Sequence, residues 1–496
     1  MFPFRTSIQL DRKRPQALYL QLAHHMIQLI KGQTLGPNAK LPSSRLLAEQ
    51  LGVHRKTVVA CYEELLLQGW VESIPKKGTF VRNNLPVLRQ QELEDSRAIG
   101  SSDNPGFPFY GNPLLSRKST ERKESVLYVN DGVSDSRLAP IDEISRTYRR
   151  ISARKTAFTH LGYASTYGHD NLRQVLMDYL NATRGLHCTK DNVLITRGSQ
   201  MGIWLSAQLL LQKGDRIVVG QTNYESADLT FLQQGVQLER VPVDENGLVT
   251  EAIEQLCVQQ RIKAVYVTSH HHHPTTVTLS AKRRMHLLNL AQKYNFAIIE
   301  DDYDYDFHYN HAPILPLASH DTNGNVIYIG SVCKTVAPVY RVGYLIAPKP
   351  FVKEAAKLRG FVDRQGDALL ELTFADFIKS GDLDRHIRKV LKIYKQRRDL
   401  FCSLLQEELG QFLELDIPKG GMAVWVKLNP NYSWATVADL ARTHQLELGH
   451  WQRYDRAQSG HNGIRMGFAA YNEEELHELV GRLKRTMEDV KGSKNV

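Results

Sequence analysis

The run YIGSVCKTVAPVYRVGY, residues 328–344, decides the fold together with AIIEDDYDYDF, residues 297–307. Each run begins with a short apolar, β-branched stretch and then changes abruptly to polar side chains. A buried strand of a parallel sheet has this pattern, because both of its faces are covered while its carboxyl end opens onto a loop. Three more runs of the same kind, VLITR, RIVVG and AVYVT, alternate with helical stretches earlier in the chain. The sequence therefore predicts an α/β domain with a mainly parallel sheet.

Small or polar residues follow several of these predicted strands. In chain order they are Gly198, Ser199 and Gln200, then Tyr224, then Asp301, and finally Ser331 with Lys334. Ligands of parallel sheets collect where the strands end, so we expect these residues at one edge of the sheet. A single polar residue at a strand end means little, but a series of them in order predicts a site.

The chemistry of these residues matches the needs of pyridoxal phosphate, an aldehyde cofactor. Lys334 supplies an amine for a Schiff base, while Ser331 and Arg341 supply a hydroxyl and a guanidinium for the phosphate. Asp301, at a buried strand end, would stay ionised against the protonated pyridine nitrogen. Tyr303 lies two residues further on and can reach the phenolic oxygen of the ring.

The other residues of the set suit the same ligand. Gly198, Ser199 and Gln200 open a predicted helix, whose free N–H groups favour a phosphate dianion. Tyr224 is placed to stack on the ring. The sequence thus predicts an enzyme-like cofactor pocket in the second part of the chain.

Composition limits the class of protein. The chain has 496 residues, 42% of them hydrophobic and 23% charged, as in a soluble globular protein of several domains. It contains no apolar run long enough to cross a bilayer and no signal-peptide pattern after Met1, which indicates a cytoplasmic protein without membrane contact. The 5 cysteines are scattered singly, which argues against disulfides and against a zinc site.

Residues 1–90 are basic and carry a helix pattern of their own. They contain 13 Lys and Arg against 5 Asp and Glu, and such a clustered surplus is typical of nucleic-acid binding. QALYLQLAHHMIQLIK at 16–31 has helical spacing. LPSSRLLAEQLG at 41–52 has a cap candidate and a glycine stop, and HRKTVVACYEELLLQG at 54–69 follows after a tight turn. We expect two short helices joined by this turn.

The second of these short helices opens with Arg55, Lys56 and Thr57, which face outward. This is the layout of a helix-turn-helix, which feeds the first side chains of its second helix into the major groove of DNA. The next stretch, WVESIPKKGTFV at 70–81, predicts a hairpin with Lys77 at its tip. A basic wing of this kind can touch phosphate or the minor groove.

Together these motifs resemble the winged helix-turn-helix of GntR-family transcription regulators over residues 16–82. His54 departs from the family pattern, which has a serine or threonine cap at that position. The resemblance implies double-stranded operator DNA as a partner. The residues that fall on the DNA-contacting positions of the family are Arg45, Arg55, Lys56, Thr57 and Gly78.

Residues 83–125 are polar, rich in Gly, Pro, Ser and charge, and lack periodicity. A segment of this length without a pattern predicts a flexible tether between domains. We therefore expect a mostly helical DNA-binding domain at 1–82, the linker at 83–125 and a cofactor-binding effector domain at 126–496.

The second domain resembles the fold type I aminotransferases, and specifically the aminotransferase-like domain of MocR/GabR-type regulators. Besides the two runs quoted first, the resemblance rests on GYASTYGHDNLRQVLMDYL at 162–180, VLITRGSQMGI at 193–203 and GIRMGFA at 463–469. It implies a homodimer in which Tyr163 reaches the phosphate of the neighbouring subunit's cofactor. It also implies that Arg465 grips the carboxylate of an amino-acid ligand.

Some positions depart from the aminotransferase pattern. HPTT at 273–276 replaces an Asn-Pro-Thr-Gly turn, so the asparagine expected at the phenolic oxygen of the ring is missing. Ser226 stands where a GABA-sensing relative has a second carboxylate-binding arginine, which argues against GABA as the ligand. The run His270–His273 raises the alternative of a metal site. Adjacent side chains cannot all point at one ion, however, and we expect no metal.

Two functions stay open from the sequence. One is a transcription regulator whose aminotransferase-like domain senses a small amine, an amino acid or pyridoxal phosphate itself. The other is a working aminotransferase with an appended DNA-binding module. Both need Lys334, Asp301 and Arg465, whereas only a regulator needs the basic winged helix. We therefore favour the regulator and expect at most a residual transaminase half-reaction.

Overall fold

The computed structural model describes residues 2–85, 104–112, 125–309, 314–332, 334–449, 451–455 and 460–493. The chain divides into two units, Met1–Gly111 and Asn112–Val496. The predicted tether at 83–125 spans this division, and its residues 86–103 and 113–124 lie outside the described residues. Within the described ranges, each helix is too short or too polar to cross a lipid bilayer.

The first unit contains four helices and one hairpin within its described residues. They are α1 (Phe4–Ser7), α2 (Leu18–Lys31), α3 (Ser44–Leu51), α4 (Arg55–Leu67), β1 (Val71–Ile74) and β2 (Gly78–Val81). The strands pair antiparallel, with Val71 opposite Val81. Leu22 and Met26 of α2 are fully buried together with Leu47 of α3, so the apolar faces of the helices share one core. The predicted helix-turn-helix followed by a hairpin is confirmed.

Local signals in the sequence fix both ends of α3. Ser43 accepts a hydrogen bond from the Leu46 N–H at 3.3 Å, which satisfies one of the free donors at the start of the helix. Gly52 ends α3 with φ +62°, a left-handed conformation that glycine adopts at little cost. The chain turns there, and α4 begins at Arg55.

The second unit is an α/β domain with two lobes. Its strands are β3 (Leu127–Tyr128), β4 (Val193–Thr196), β5 (Arg216–Gly220), β6 (Gln237–Val241), β7 (Val243–Asp244), β8 (Gly247–Leu248), β9 (Ala264–Val267), β10 (Ala297–Asp302), β11 (Val326–Ser331), β12 (Gly343–Ile346), β13 (Leu413–Leu415), β14 (Ala423–Leu428), β15 (Leu446–Glu447) and β16 (Gly463–Gly467). Its α-helices are α5 (Ile141–Ser152), α6 (Asp170–Arg184), α7 (Ser199–Leu210), α8 (Glu225–Leu232), α9 (Thr250–Gln259), α10 (Ala281–Tyr294), α11 (Lys349–Val362), α12 (Ala368–Lys379), α13 (Asp382–Leu409), α14 (Trp434–Ala441) and α15 (Glu473–Gly492).

The large lobe is built around a sheet of seven strands with the order β4-β12-β11-β10-β9-β5-β6. In this sheet β12 runs antiparallel to both neighbours, and the other pairs are parallel. Strands β4, β9 and β11 are buried almost along their whole length, which explains their continuous apolar runs. The five strands predicted from the sequence are all present, and the mainly parallel sheet is confirmed.

The small lobe is formed by the C-terminal part of the chain. Strands β13, β14 and β16 make an antiparallel sheet, in which Arg465 of β16 lies opposite Trp425 of β14. Phe401 of α13 and Leu479 of α15 are fully buried in the same core as this sheet. Strand β3 pairs with β15 of this lobe, so residues just after Tyr128 start close to it.

Candidate functional site

The predicted cofactor residues come from the ends of four strands of the large sheet. Gly198 follows β4, Tyr224 follows β5, Asp301 lies next to last in β10, and Ser331 is the last residue of β11. Lys334 lies three residues beyond Ser331. Because these four strands point the same way, their carboxyl ends meet at one edge of the sheet.

The amine of Lys334 lies over an aromatic ring. Its Nζ is 4.4 Å from the centre of the Tyr303 ring and donates a hydrogen bond to the Gly132 carbonyl at 3.3 Å. Burial lowers the pKa of Lys334, and the nearby Arg465 guanidinium lowers it further. A lower pKa leaves more of the amine neutral, which is the form that attacks an aldehyde.

Asp301 has one carboxylate oxygen paired and one unpaired. Oδ2 accepts a hydrogen bond from the Tyr266 hydroxyl at 2.8 Å, whereas Oδ1 is buried without a hydrogen-bond partner among the described residues. Burial raises the pKa of Asp301 to about 7, although the Tyr266 hydrogen bond and Lys334 oppose the rise. A buried acceptor without a donor is unusual in a folded protein. A protonated pyridine nitrogen would supply that donor, so Asp301 fits the predicted cofactor.

Arg341, Gly198 and Ser331 lie together beside the start of α7. Arg341 Nη2 donates to the Arg197 carbonyl at 2.8 Å, and a β-carbon on Gly198 would lie 2.7 Å from that same nitrogen. Ser331 pairs with Gly343 of β12, and a β-carbon on Gly343 would lie 2.7 Å from the Gly198 backbone. A guanidinium, a hydroxyl and the free N–H groups of a helix start therefore share one corner of the site. This combination suits a phosphate dianion.

Of three further predicted residues, Gln200 and Tyr224 contact other side chains in the structure. Ser199 is the first residue of α7. Gln200 Nε2 donates to the Thr230 hydroxyl at 2.8 Å, so its amide faces α8. The Tyr224 ring lies edge-on to the His273 ring, with 5.1 Å between their centres. Contacts of these residues with a cofactor stay predictions.

Arg465 is buried, with 1% of its surface exposed. Its guanidinium donates to the Asp131 carbonyl at 3.2 Å, the Pro274 carbonyl at 3.1 Å and the Tyr303 hydroxyl at 3.2 Å. The Tyr303 hydroxyl in turn donates to the His271 carbonyl at 3.0 Å. The structure thus brings Arg465, Tyr303 and the Lys334 amine together, while a contact between Tyr303 and the cofactor ring stays a prediction.

A carboxylate that no sequence pattern indicated, that of Asp131, lies against Arg465. Its Oδ1 is 3.6 Å from Arg465 Nε and 3.4 Å from Arg453 Nη2, and it accepts a hydrogen bond from the Tyr454 hydroxyl at 2.7 Å. Its Oδ2 is 3.0 Å from His273 Nε2. Burial disfavours the charged form, but His273 and the two arginines outweigh it and hold the pKa of Asp131 well below its usual range.

The tripeptide NDG at 130–132 sets Asp131 in place. Asn130 Oδ1 accepts hydrogen bonds from the N–H groups of Gly132 at 2.9 Å and Val133 at 3.1 Å, the pattern of an Asx turn. Gly132 has φ +83°, and a β-carbon there would lie 3.4 Å from Arg465 Nη2. The turn could have been found from the sequence, because Asn and Gly are turn residues. Its contact with an arginine 334 positions away could not.

The four adjacent histidines each have a different side-chain partner. The nitrogen-to-oxygen distances are 3.0 Å from His270 to Asp302, 2.9 Å from His271 to Asp304, 2.9 Å from His272 to Thr275 and 3.0 Å from His273 to Asp131. The imidazoles therefore diverge. In the part of the chain that the structure describes, no three His, Cys, Asp or Glu side chains are grouped as metal ligands.

Tyr163 lies at the surface, apart from the Lys334 cluster. It is 84% exposed, and the Arg364 guanidinium stacks 4.2 Å above its ring. Exposed apolar side chains occur on the same two segments of the chain: Phe158, Leu161, Phe361 and Val362. A role of Tyr163 in the site of a second subunit stays a prediction.

The predicted DNA-contacting residues of the two short helices lie at the surface of the first unit. Arg45, Arg55 and Lys56 are exposed, and Thr57 is partly exposed. His54 Nδ1 accepts a hydrogen bond from the Lys56 N–H at 3.2 Å, so it caps α4 in the way that serine or threonine would. The departure from the family pattern at this position therefore leaves the start of α4 capped.

The hairpin tip is basic. Lys76 and Gly78 have φ +64° and φ +119°, and between them Lys77 is exposed. Lys40 packs under the tip, since a β-carbon on Gly78 would lie 3.2 Å from its Cε. A cleft of about 480 Å³ between the hairpin and α4 is lined by all three lysines. Positive charge thus lines a groove between the hairpin and the middle of α4, as a phosphate-binding surface requires.

Residues 127–483 match the family described as aminotransferase class I and II. The chain belongs to this family. Residues 18–81 match the family of bacterial regulatory proteins named gntR. A GntR helix-turn-helix joined to an aminotransferase class I and II domain is the organisation of MocR-type regulators. In this chain the two matched regions together cover most of the sequence.

Relatives of full length carry the names of transcriptional regulators. The chain is 28% identical to the HTH-type transcriptional regulator YdfD of Bacillus subtilis, over 94% of this chain and 95% of that protein. It is 26% identical to the probable rhizopine catabolism regulatory protein MocR of Rhizobium meliloti, over 83% of this chain and 82% of that protein. Among solved structures, a kynurenine aminotransferase of Pyrococcus horikoshii in complex with PMP superposes with a TM-score of 0.71 at 26% identity, over 77% of this chain and 97% of that chain.

Proposed function

We propose that the protein is a pyridoxal-phosphate-dependent transcription regulator, which binds operator DNA through its first unit and senses a small amine or amino acid through its second. The observation that carries this proposal is the fusion of a GntR helix-turn-helix with an aminotransferase domain that retains Lys334 and the buried Asp301. An enzyme has no need of a basic winged helix, whereas a sensor needs a readout.

The residues around Lys334 support the cofactor. When bound, pyridoxal phosphate supplies an aldehyde that exchanges between amines and an electron-poor ring. In our proposal the Lys334 amine holds the aldehyde covalently, and Asp301 keeps a proton on the ring nitrogen. The residues that we propose to contact the cofactor are Gly198, Ser199, Gln200, Tyr224, Asp301, Tyr303, Ser331 and Arg341.

Covalent trapping tests the cofactor assignment. Purified full-length protein should show a visible absorbance band, and borohydride should remove it and add the mass of the reduced cofactor to the peptide that contains Lys334. Because the amine is the only group proposed for attachment, Lys334→Ala should lose the added mass, which mass spectrometry measures. A Lys334→Ala protein that keeps the same trapped cofactor would contradict the assignment.

The proposed readout surface comprises both basic features of the first unit. Arg45, Arg55, Lys56 and Thr57 would enter the major groove, while Lys77 and Gly78 at the hairpin tip would lie on phosphate. A gel-shift titration with the upstream DNA of the gene, repeated with a panel of amines and amino acids, tests the regulator. A regulator should change operator affinity with at least one of these ligands.

We further propose a cytoplasmic homodimer. The exposed Tyr163 and the apolar side chains of its surroundings support a surface that a second copy covers, because exposed apolar groups of this size favour association. In such a dimer Tyr163 would reach the phosphate in the other copy. Sedimentation measures the oligomeric state of the wild type and of Phe361→Glu, in which a charge replaces an exposed apolar side chain of this surface.

A working aminotransferase is the second candidate, and the similarity to the kynurenine aminotransferase structure favours it. Turnover separates the two candidates. An enzyme converts many equivalents of an amino acid when a keto acid regenerates the cofactor, whereas a sensor stops after at most one equivalent per site. Sustained turnover without any effect of the amine on operator affinity would favour the enzyme.

A further inference from the structure

The anion pocket around Arg465 already holds a carboxylate of the chain. We propose that Asp131 is a specificity-determining residue, which occupies the place of a ligand carboxylate and must be displaced by it. Asp131 thereby lowers affinity for amino acids relative to amines that lack a carboxylate. This inference rests on the proposed function, because it concerns the ligand of the same site.

The pocket is assembled by elements that do not include the turn of Asp131. Arg465 lies in β16, His273 follows β9, and Arg453 and Tyr454 belong to the segment 451–455. Their nitrogen and hydroxyl groups converge on one carboxylate from these separate parts of the chain, at the distances given above. A group of convergent donors with two guanidinium charges is a binding site for an anion in its own right.

Exposure shows the direction from which a ligand would enter. The Asp131 side chain is 25% exposed, whereas that of Arg465 is 1% exposed. The carboxylate therefore stands between the buried guanidinium and solvent. Arg453 Nε is buried without a hydrogen-bond partner among the described residues, so the pocket has a donor to spare.

Exchange of one carboxylate for another is electrostatically balanced. If Asp131 left alone, Arg465 and Arg453 would both lose a carboxylate that lies within 4 Å of their guanidinium groups, which is unfavourable at a buried place. If a ligand carboxylate replaces it, the charge of the pocket is unchanged and Asp131 gains water. Asp131 lies in an irregular stretch between β3 and α5, so its withdrawal breaks no helix or strand. The amino-acid affinity of the protein is thus set by competition between two carboxylates.

Three matched probes separate the carboxylate from the amine: L-norvaline, n-butylamine, which lacks the carboxylate, and pentanoate, which lacks the amine. Each is titrated into full-length protein with its cofactor, by visible absorbance for the amines and by calorimetry for all three. The variants are Asp131→Asn, which keeps the shape and removes the charge, and Tyr454→Phe, which removes the 2.7 Å hydrogen bond to Asp131. Asp142→Asn on the exposed start of α5 is the control for the loss of one negative charge.

In Asp131→Asn we expect norvaline and pentanoate to bind about tenfold tighter or more, while butylamine changes by less than about twofold. Tyr454→Phe should shift the same ratio in the same direction by a smaller factor, and Asp142→Asn should leave it unchanged. Pentanoate that binds Asp131→Asn no tighter than wild type overturns the proposal, as does an equal gain for norvaline and butylamine. If no amine alters the visible band of any protein, the proposed function fails, and the pentanoate result still decides the role of Asp131.

Discussion

Asp301 and Asp302 are neighbours at the end of β10, and the pKa values of their carboxyl groups are shifted in opposite directions. Burial raises the pKa of Asp301 to about 7. Burial also opposes the charge of Asp302, but His270, Arg184 and the Tyr328 hydroxyl outweigh it and lower its pKa to about 2. The difference lies in the neighbouring groups, since Asp302 Oδ1 lies 3.0 Å from His270 Nδ1, whereas Asp301 Oδ1 has no hydrogen-bond partner among the described residues. A buried acid whose pKa is strongly shifted is typical of a functional position.

The raised pKa of Asp301 predicts the pH dependence of stability in cofactor-free protein. An exposed aspartate has a pKa of about 3.9, so between about pH 4 and pH 7 the folded state binds more protons than the unfolded state. Stability should therefore fall as the pH rises through this window. About three pH units at roughly 1.4 kcal/mol each give a penalty of about 4 kcal/mol above pH 7. Asp301→Asn should remove it, so urea denaturation should show a gain in stability at pH 8 that disappears near pH 4.

Asp302→Asn is the matched control for this experiment. A carboxylate whose folded pKa lies below the unfolded value stabilises the protein above about pH 4, so Asp302→Asn should lose stability at pH 5 and at pH 8 alike. Equal pH profiles for wild type and Asp301→Asn would show that Asp301 is charged in the cofactor-free protein. With cofactor, Asp301→Asn should bind it more weakly, because the ring nitrogen loses its carboxylate.

Single residues differ in how far the sequence reveals them. Lys334 and Asp301 could be predicted, because each stands just beyond an apolar run and parallel strands end at one edge of the sheet. Asp131, Arg453 and Tyr454 could not, because Asp131 lies in a loop and the other two lie in a short 3-10 helix, and neither segment carries a periodic pattern. Only tertiary contacts bring these segments beside Arg465, so the anion pocket becomes visible in the structure alone.

At the scale of elements, α4 and the hairpin should read DNA in different ways. Arg55 Nε donates to the Ser44 hydroxyl at 3.3 Å, so α3 already orients this arginine before DNA binds. If Arg55 contacts a base edge, Arg55→Ala should cost about 1–3 kcal/mol on the operator and much less on unrelated DNA. Fluorescence anisotropy with both duplexes measures this difference.

Lys77 at the hairpin tip should act through phosphate only. Lys77→Ala should weaken binding to operator and unrelated DNA by the same factor and reduce the salt slope by about one. Lys213 is an exposed lysine of the second unit. Lys213→Ala also removes one positive charge, and it should change neither the DNA affinity nor the salt slope. Unchanged affinity in both Arg55→Ala and Lys77→Ala would refute this placement of the reading surface.

Strands that are fully buried were more predictable from the sequence than strands that are partly exposed. The strands β4, β5, β9, β10 and β11 could be predicted because burial on both faces demands unbroken apolar runs. The edge strand β6 (Gln237–Val241) was missed, since QLERV is only partly buried and includes charged side chains. For the same reason the hairpin of the first unit was predicted from its turn residues rather than from its strands.

At the scale of the whole molecule, a regulator requires that ligand binding in the second unit change the DNA affinity of the first unit. In our proposal a ligand displaces Asp131 from Arg465, and Asp131 lies in the loop after β3, close in sequence to the predicted linker at 83–125. A shift of Asp131 would therefore occur close in sequence to the connection between the two units. Coupling of this kind is typically worth about 1–3 kcal/mol.

Thermodynamic linkage makes this coupling testable without knowledge of the pathway. If an effective amine changes operator affinity by some factor, saturating operator DNA must change amine affinity by the same factor. Fluorescence anisotropy measures the change in operator affinity that the amine causes. Visible absorbance measures the change in amine affinity, in titrations with operator, with a scrambled duplex and without DNA. Lys334→Ala should abolish both, because it removes the amine that the ligand displaces. Two equal factors that differ from one, in either direction, establish the switch. Two factors of one mean that the units bind independently and that the aminotransferase domain does not control the DNA-binding unit.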